Sequence, residues 1–109
     1  MATTFKVLGQ RLSNAGVSLD IYAPPAGNST IVSSINICNQ RGDTSSFRLA
    51  VRPANAALSG LHYLAFDTPI AANDSLTLTM GMTLATTDTV TVQANTSNVS
   101  FSLFGSELY

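Results

Sequence analysis

The chain has 109 residues, of which 10% are charged, and its net charge is −1. A nearly neutral chain is a poor candidate for binding nucleic acid, because that affinity comes mostly from neutralising phosphates. It also lacks the basic face with which a protein binds an anionic membrane. At this length we expect one domain, residues 1–109.

The low charge has two explanations that the sequence leaves open. About 25% of residues are charged in a typical soluble protein, so polarity here must come from Ser, Thr, Asn and Gln. Thr and Ser suit the outward positions of β-strands. Lys and Glu are also depleted where a surface is covered in an assembly. Residues 1–7 lack the basic and apolar regions of a signal peptide, and no apolar run approaches the ~20 residues of a membrane span.

Two short strands open the chain. Residues 5–9 are predicted to form the first strand and residues 17–22 the second. In the second, Val17, Leu19 and Ile21 alternate with polar residues, which predicts one buried face. Pro24 and Pro25 end it, because proline has no N–H to donate to a ladder.

Residues 29–53 carry the strongest pattern, and we interpret them as a β-hairpin at the centre of the domain. Two apolar runs, residues 29–39 and 46–52, flank a polar turn at residues 40–45. In each run, apolar residues stand at odd-numbered positions and so share one face of a strand. They are Ile31, Ile35 and Ile37 in the first run and Phe47, Leu49 and Val51 in the second. Period-two spacing predicts a sheet with one face against a core.

The second half contains further strands and turns. Residues 54–60 permit a short helical turn capped by Gly60, in a long connection that suits a crossover between sheets. The predicted strands are residues 61–67 (ended by Pro69), 75–84 (with a bulge or bend at Gly81), 89–94 and 99–105. About eight strands at this spacing predict an all-β, antiparallel β-sandwich of jelly-roll or Greek-key type.

The sequence contains no catalytic constellation, and we predict no catalytic, cofactor-binding or metal-binding residues. His62 is the only histidine, and we expect its ring to be half exposed at the start of a strand. The acidic residues are scattered, and there is no Gly-x-Ser-x-Gly motif. Cys38 is the only cysteine, so no internal disulfide can form, and we predict a buried free thiol.

Four residues are candidates for an interface with a partner. Arg48 and Arg52 lie on the face of their strand opposite the apolar one, where they either contact a partner or solvate that face. Arg41 lies in the predicted hairpin turn, within an Arg-Gly-Asp tripeptide of good turn residues. Phe101 and Phe104 have opposite parities, so if Phe101 faces the core, Phe104 needs a second cover, such as a neighbouring subunit.

Several segments resemble a family of small virion proteins from tailed phages, in particular those of cyanophages. The segments are residues 3–10 (TTFKVLGQ), 33–39 (SSINICN), 47–53 (FRLAVRP) and 101–107 (FSLFGSE). They come in the same order as in that family and cover nearly the whole chain. The resemblance implies a small β-sandwich in the virion, made in the bacterial cytoplasm, and it assigns no binding residues.

From the residues and the resemblance together, we expect a non-enzymatic capsid decoration (cement) protein. Such a protein binds the major capsid protein on the outer shell and stabilises it, here as a homo-oligomer, with a trimer favoured. It needs no cofactor. The alternative is a tail, baseplate or fibre component that acts as a connector or binds host-surface glycans. A small glycan-active enzyme is the third possibility, for which the sequence offers no active-site motif.

Overall fold

Alternating apolar residues form strands along most of the chain. The structure, a computed structural model, describes residues 2–109. Within this range there are eight strands and two short 3-10 turns. The strands are β1 (Thr3–Leu12), β2 (Leu19–Tyr22), β3 (Ser29–Asn39), β4 (Ser45–Arg52), β5 (Tyr63–Ile70), β6 (Ser75–Leu84), β7 (Thr89–Ala94) and β8 (Val99–Leu108); the turns are η1 (Pro53–Asn55) and η2 (Gly60–His62).

The strands form two four-stranded sheets. The first sheet has the order β1-β8-β3-β6 and the second the order β2-β7-β4-β5. Every neighbouring pair in residues 3–108 is antiparallel. Strands that follow each other in the chain mostly lie in opposite sheets, as in a jelly roll. The predicted all-β sandwich of eight strands is therefore confirmed.

The core lies between the two sheets. Ile35 and Leu103 of the first sheet and Leu49 and Val90 of the second are fully buried there. At the centre, the rings of Phe47 and Phe101 meet edge to face, with centroids 6.4 Å apart. Contacts of this kind between aromatic rings stabilise a core beyond simple burial of area.

The predicted hairpin over residues 29–53 is wrong, although both of its strands exist. β3 pairs with β6 and β8, whereas β4 pairs with β5 and β7. The two strands therefore face each other across the core, and residues 40–44 carry the chain from one sheet to the other. The buried side chain of Asn39 holds this crossing, because it donates to the carbonyls of Asp43 (2.9 Å) and Ile70 (3.2 Å). Periodicity reveals a buried face but not the neighbouring strand.

A bulge in β3 changes which residues face the core. The pairing of β3 with both neighbours shifts between Val32 and Ser34. Val32 is therefore buried before the bulge and Ile35 after it, while Ile31 is 43% exposed on the outer face. The prediction that Ile31 faces the core is wrong for this reason. The predicted irregularity near Gly81 is confirmed. Val32 of β3 pairs with Met82 of β6, but Ser34, two residues later, pairs with Thr79, three residues away from Met82.

The connection between β4 and β5 differs from the prediction in detail. It contains the turns η1 and η2, and Gly60 begins η2 instead of capping a helical turn. His62 is buried, not half exposed, and its Nδ1 accepts a hydrogen bond from the N–H of Ser59 (3.1 Å). The His62 imidazole therefore caps the short turn η2.

Cys38 and Pro69 also differ from their predictions. Cys38 is only half buried, because Ile37 and Asn39 on either side of it point to the core. Pro69 lies within β5 instead of ending it. This strand pairs only with β4 among residues 2–109 and is an edge strand, where a missing N–H is tolerated.

Candidate functional site

The four residues predicted to contact a partner do not form one cluster. Arg48 and Arg52 lie on the outer side of the second sheet, since Phe47 and Leu49 on either side of Arg48 point to the core. Phe104 lies on the outer side of the first sheet, and Arg41 lies in the connection between β3 and β4. The arginines on β4 and Phe104 therefore mark opposite sides of the sandwich.

Arg48 is held by a β-bulge in β5. Phe47 pairs with Thr68 and Leu49 with Ala65, so Phe66 and Asp67 together face Arg48. The guanidinium donates to both carboxylate oxygens of Asp67, at 2.7 and 3.2 Å, and lies 4.0 Å from the centre of the Phe66 ring. The hydrogen bonds from Arg48 hold the pKa of Asp67 below its ordinary value. The bulge therefore presents an arginine, a carboxylate and an aromatic ring together.

Exposed apolar side chains extend this site along the edge of the second sheet. Leu61 is 82% exposed, and more than half of Leu64 and of Phe66 is exposed as well. Tyr63 supports Phe66 through an edge-to-face contact with centroids 4.9 Å apart. We call Leu61, Leu64 and Phe66 the β5 patch. Its leucines and Phe66 lie in the strand that the sequence predicted at 61–67, but periodicity did not show that they stay uncovered.

Arg52 and Arg41 are bound to groups of the same chain. Arg52 donates to Asp20 (2.8 Å), to the hydroxyl of Thr91 (3.0 Å) and to the carbonyl of Ala56 (3.0 Å), and only 13% of its side chain is exposed. Arg41 donates to Asp43 at 2.9 Å and holds the pKa of that carboxyl below its ordinary value. Any contact of these arginines with a partner would add to these bonds or replace them.

Phe104 belongs to a second exposed apolar surface. It pairs with Val7 of β1, and in the next row of the sheet Phe5 and Ile31 lie on either side of Ser106. All four apolar side chains point outward, because Leu103 points to the core. Phe5 is 82% exposed, and Phe104 is half buried between its neighbours. We call Phe5, Val7, Ile31 and Phe104 the β1 patch.

The residues that the structure describes offer no metal centre: across positions 2–109, no group of three or more His, Cys, Asp or Glu side chains could hold an ion. In the same range, no helix is long and apolar enough to cross a membrane.

A buried carboxylate links the two sheets at the end of β8. Glu107 is almost fully buried and lies 3.5 Å from Nζ of Lys6. It also accepts a 2.5 Å hydrogen bond from the hydroxyl of Tyr22, which is 2.8 Å from the hydroxyl of Thr30. Burial, together with the Glu107 carboxylate, raises the pKa of Tyr22 to about 12. With its partners paired, this cluster stabilises the fold and leaves no reactive group.

Comparison with known proteins gives a likeness in structure alone. No protein-family model matches the chain, and no curated protein matches it. A chain in the crystal structure of the T13 viral particle of infectious bursal disease virus (IBDV) superposes with a TM-score of 0.52 and 13% identity over 97% of this chain. A chain of the IBDV Gx strain has a TM-score of 0.49 and 10% identity, covering 97% of this chain and 32% of its own.

The first of these likenesses shows a shared fold. This protein spans 29% of the length of the chain from the T13 particle. At 13% identity, what the two have in common is the arrangement of strands. Both neighbours are chains of virus particles, and neither comes from a phage.

Proposed function

We propose that this protein is a non-enzymatic structural component of a virus particle, and more narrowly a capsid decoration (cement) protein of a tailed bacteriophage. The observation that carries the proposal is that 97% of the chain follows the jelly roll of a chain from an icosahedral virus particle. The strand order β1-β8-β3-β6 and β2-β7-β4-β5 is the arrangement that viral capsid domains use widely. The resemblance of four segments to tailed-phage virion proteins supports the narrower assignment.

The surface supports a role in assembly. Two apolar patches lie on different sheets, the β1 patch on the first and the β5 patch on the second. Exposed apolar patches rimmed by polar residues are typical of surfaces that contact other proteins. A net charge of −1 keeps repulsion between neighbouring copies small. A modest interface per copy then stabilises a shell strongly, because it repeats over the lattice.

We also propose that the protein forms a homotrimer and binds the major capsid protein. When two different surfaces of one subunit meet, the contact is heterologous and can close into a ring. The β1 and β5 patches would serve such contacts, with Phe104 in the first and Arg48 beside the second. Arg52 lies on the same face as Arg48 and joins β4 to β2 through its hydrogen bond to Asp20. Arg41 lies at the end of the sandwich. These four residues are our candidates for the interface.

Co-sedimentation tests the proposal directly. The purified protein is mixed with expanded phage capsids that lack it and, separately, with intact tails, and each mixture is sedimented. Saturable binding to capsids alone supports the cement role, and the stoichiometry gives the lattice position. Binding to tails or host cells alone would overturn it in favour of a tail, baseplate or fibre component. Binding to none of them would contradict both assignments.

A further inference from the structure

An open cavity of about 590 Å³ lies at one end of the sandwich. Three connections meet there, those between β2 and β3, between β4 and β5, and between β6 and β7. The cavity is in the size range of about 300–1,000 Å³ that small-molecule sites occupy. Its lining is mixed and contains a carboxylate, an amide, several hydroxyls and small apolar groups. The residues that matter here are Asp20, Ala23, Ala26, Asn55, Thr87 and Thr89.

Hydrogen bonds tie the three connections together around the cavity. Asp88 accepts from the N–H of Ala54 and from the N–H of Ala85, both at 2.9 Å, which joins η1 to the β6–β7 turn. Thr86 donates to the carbonyl of Asn28 (3.0 Å), which joins that turn to the β2–β3 connection. Arg52 closes the circle from Asp20 to Ala56. A rim fixed in this way loses little conformational entropy when a ligand binds.

Two residues of the lining have left-handed backbones without being glycine. Asn55 has a φ of 57° and Thr87 a φ of 76°. This conformation is unfavourable for a β-branched residue such as Thr. Strained residues of this kind cluster at binding sites, where the surrounding structure maintains them. Here Thr89 contacts both residues, because its hydroxyl lies 3.1 Å from the carbonyl oxygen of Thr87 and 3.3 Å from Oδ1 of Asn55.

The polar groups that remain available are complementary to hydroxyls. Oδ1 of Asp20 is bound by Arg52 and Thr91, whereas Oδ2 has no hydrogen bond within residues 2–109. The amide N–H groups of Asn55 make no hydrogen bond within residues 2–109 and are available as donors, while its Oδ1 lies 3.3 Å from the hydroxyl of Thr89. Because Arg52 balances the charge of Asp20, the cavity has no net charge that would select an ion. The exposed apolar residues of the lining are Ala23 and Ala26, whereas Ile21 and Pro24 are buried beneath them.

We propose that this cavity binds a neutral saccharide. One or two ring hydroxyls donate to the Asp20 carboxylate, another accepts from the Asn55 amide, and a C–H face of the ring packs on Ala23 and Ala26. A neutral ligand suits this lining because Arg52 balances the charge of Asp20. The site does not depend on where the protein lies in a particle, since it is built entirely within one chain.

Titration followed by NMR tests the site. The ¹⁵N-labelled protein is titrated with the methyl glycosides of glucose, galactose, mannose and N-acetylglucosamine, and amide shifts are followed. We expect saturable shifts, for at least one sugar, confined to the three connections. Asn55→Asp keeps the oxygen that faces Thr89 but removes the amide donor, and we expect it to weaken binding about fivefold or more.

Asn73→Asp is the matched control. Asn73 is also exposed and left-handed, with a φ of 53°, but it lies in the β5–β6 turn at the opposite end of the sandwich. This variant adds the same charge, and binding should be unchanged. If Asn55→Asp fails to fold, Asp20→Asn provides the second variant, because it retains the acceptor for Arg52 and removes the charge.

Three results would overturn the proposal. The first is the absence of a saturable shift with all four glycosides. The second is equal weakening by Asn55→Asp and Asn73→Asp, which would indicate a general charge effect. The third is a set of shifts at the cavity that follows protein concentration and not sugar, since the occupant would then be a second copy of the chain. None of these results bears on co-sedimentation with capsids, so the two proposals fail independently.

Discussion

The hydroxyl of Tyr22 in the second sheet donates a 2.5 Å hydrogen bond to the buried carboxylate of Glu107 in the first. A buried carboxylate is costly unless it is hydrogen-bonded and paired. Tyr22 and Lys6 meet this need from two different strands. The Tyr22–Glu107 contact therefore ties the edge strand β2 to the first sheet.

The raised pKa of Tyr22 predicts a loss of stability in base. Its pKa rises from 10.0 to about 12 on folding, so the native state binds the phenolic proton more tightly than the unfolded chain. The contribution is fully present below about pH 10 and is lost as the pH rises toward about 12. Urea denaturation at about pH 8 and about pH 11 should show a larger fall in the free energy of unfolding for the wild type than for Tyr22→Phe.

The control for this prediction is Tyr109→Phe, which removes the hydroxyl of an exposed tyrosine. It should keep the alkaline loss of the wild type. If Tyr22→Phe loses as much stability as the wild type between the two pH values, another group causes the loss.

Replacing each of the two arginines on β4 by alanine should have a different effect: one should lower stability and the other should weaken binding to capsids. Arg52→Ala removes the donor to Thr91 and to the Ala56 carbonyl and leaves Asp20 with only the Thr91 hydroxyl, and we expect it to lower the free energy of unfolding by about 1–3 kcal/mol. Arg48→Ala should leave stability nearly unchanged and weaken binding to capsids, because Arg48 is more exposed and borders the β5 patch. Thermal denaturation and co-sedimentation measure the two effects. Equal destabilisation by both variants would contradict this division.

Two strand glycines provide a matched pair for packing. A Cβ at Gly105 would lie 2.2 Å from the carbonyl oxygen of Ile31, whereas one at Gly81 would meet nothing within 4 Å. Because the obstacle at Gly105 is backbone, we expect Gly105→Ala to lower the free energy of unfolding by about 1–3 kcal/mol, the usual cost of overpacking. Gly81→Ala should be neutral or slightly stabilising. Similar denaturation midpoints for the two variants would contradict the close approach of β8 to β3.

The β1 patch should matter for assembly and not for folding. Replacing Phe5 and Val7 together by Thr should change the free energy of unfolding by only about 0.5 kcal/mol, as at other exposed sites, while reducing affinity for capsids about tenfold. Val17→Thr is the control, since Val17 is 43% exposed and Val7 48%, but Val17 lies outside both patches. Equal capsid binding by the double variant and Val17→Thr would remove the β1 patch from the interface.

Strand type and position could be predicted from local pattern. The alternation in residues 75–80 and 89–94 is a property of neighbours in the chain, so it indicated β6 and β7 closely, and the turn residues between them marked the ends. The opposite parities of Phe101 and Phe104 were likewise enough to place one in the core and the other outside. The number and spacing of the alternating segments predicted a sandwich of about eight strands.

Pairing and the candidate sites depended on contacts between distant residues. β3 and β4 each carry a buried face, yet they lie in opposite sheets, since a strand's apolar face must be covered but its edges can pair with several partners. The bulge at Ser33 turned Ile31 outward, and only the pairing of three strands shows that Ile31 lies beside Phe5 and Phe104. The cavity around Asp20 and Asn55 likewise exists because jelly-roll topology brings together three connections far apart in the chain. The alternation of residues along a strand shows which side chains are buried. Which strands pair, and where cavities form, depends on contacts between residues that are far apart in the chain.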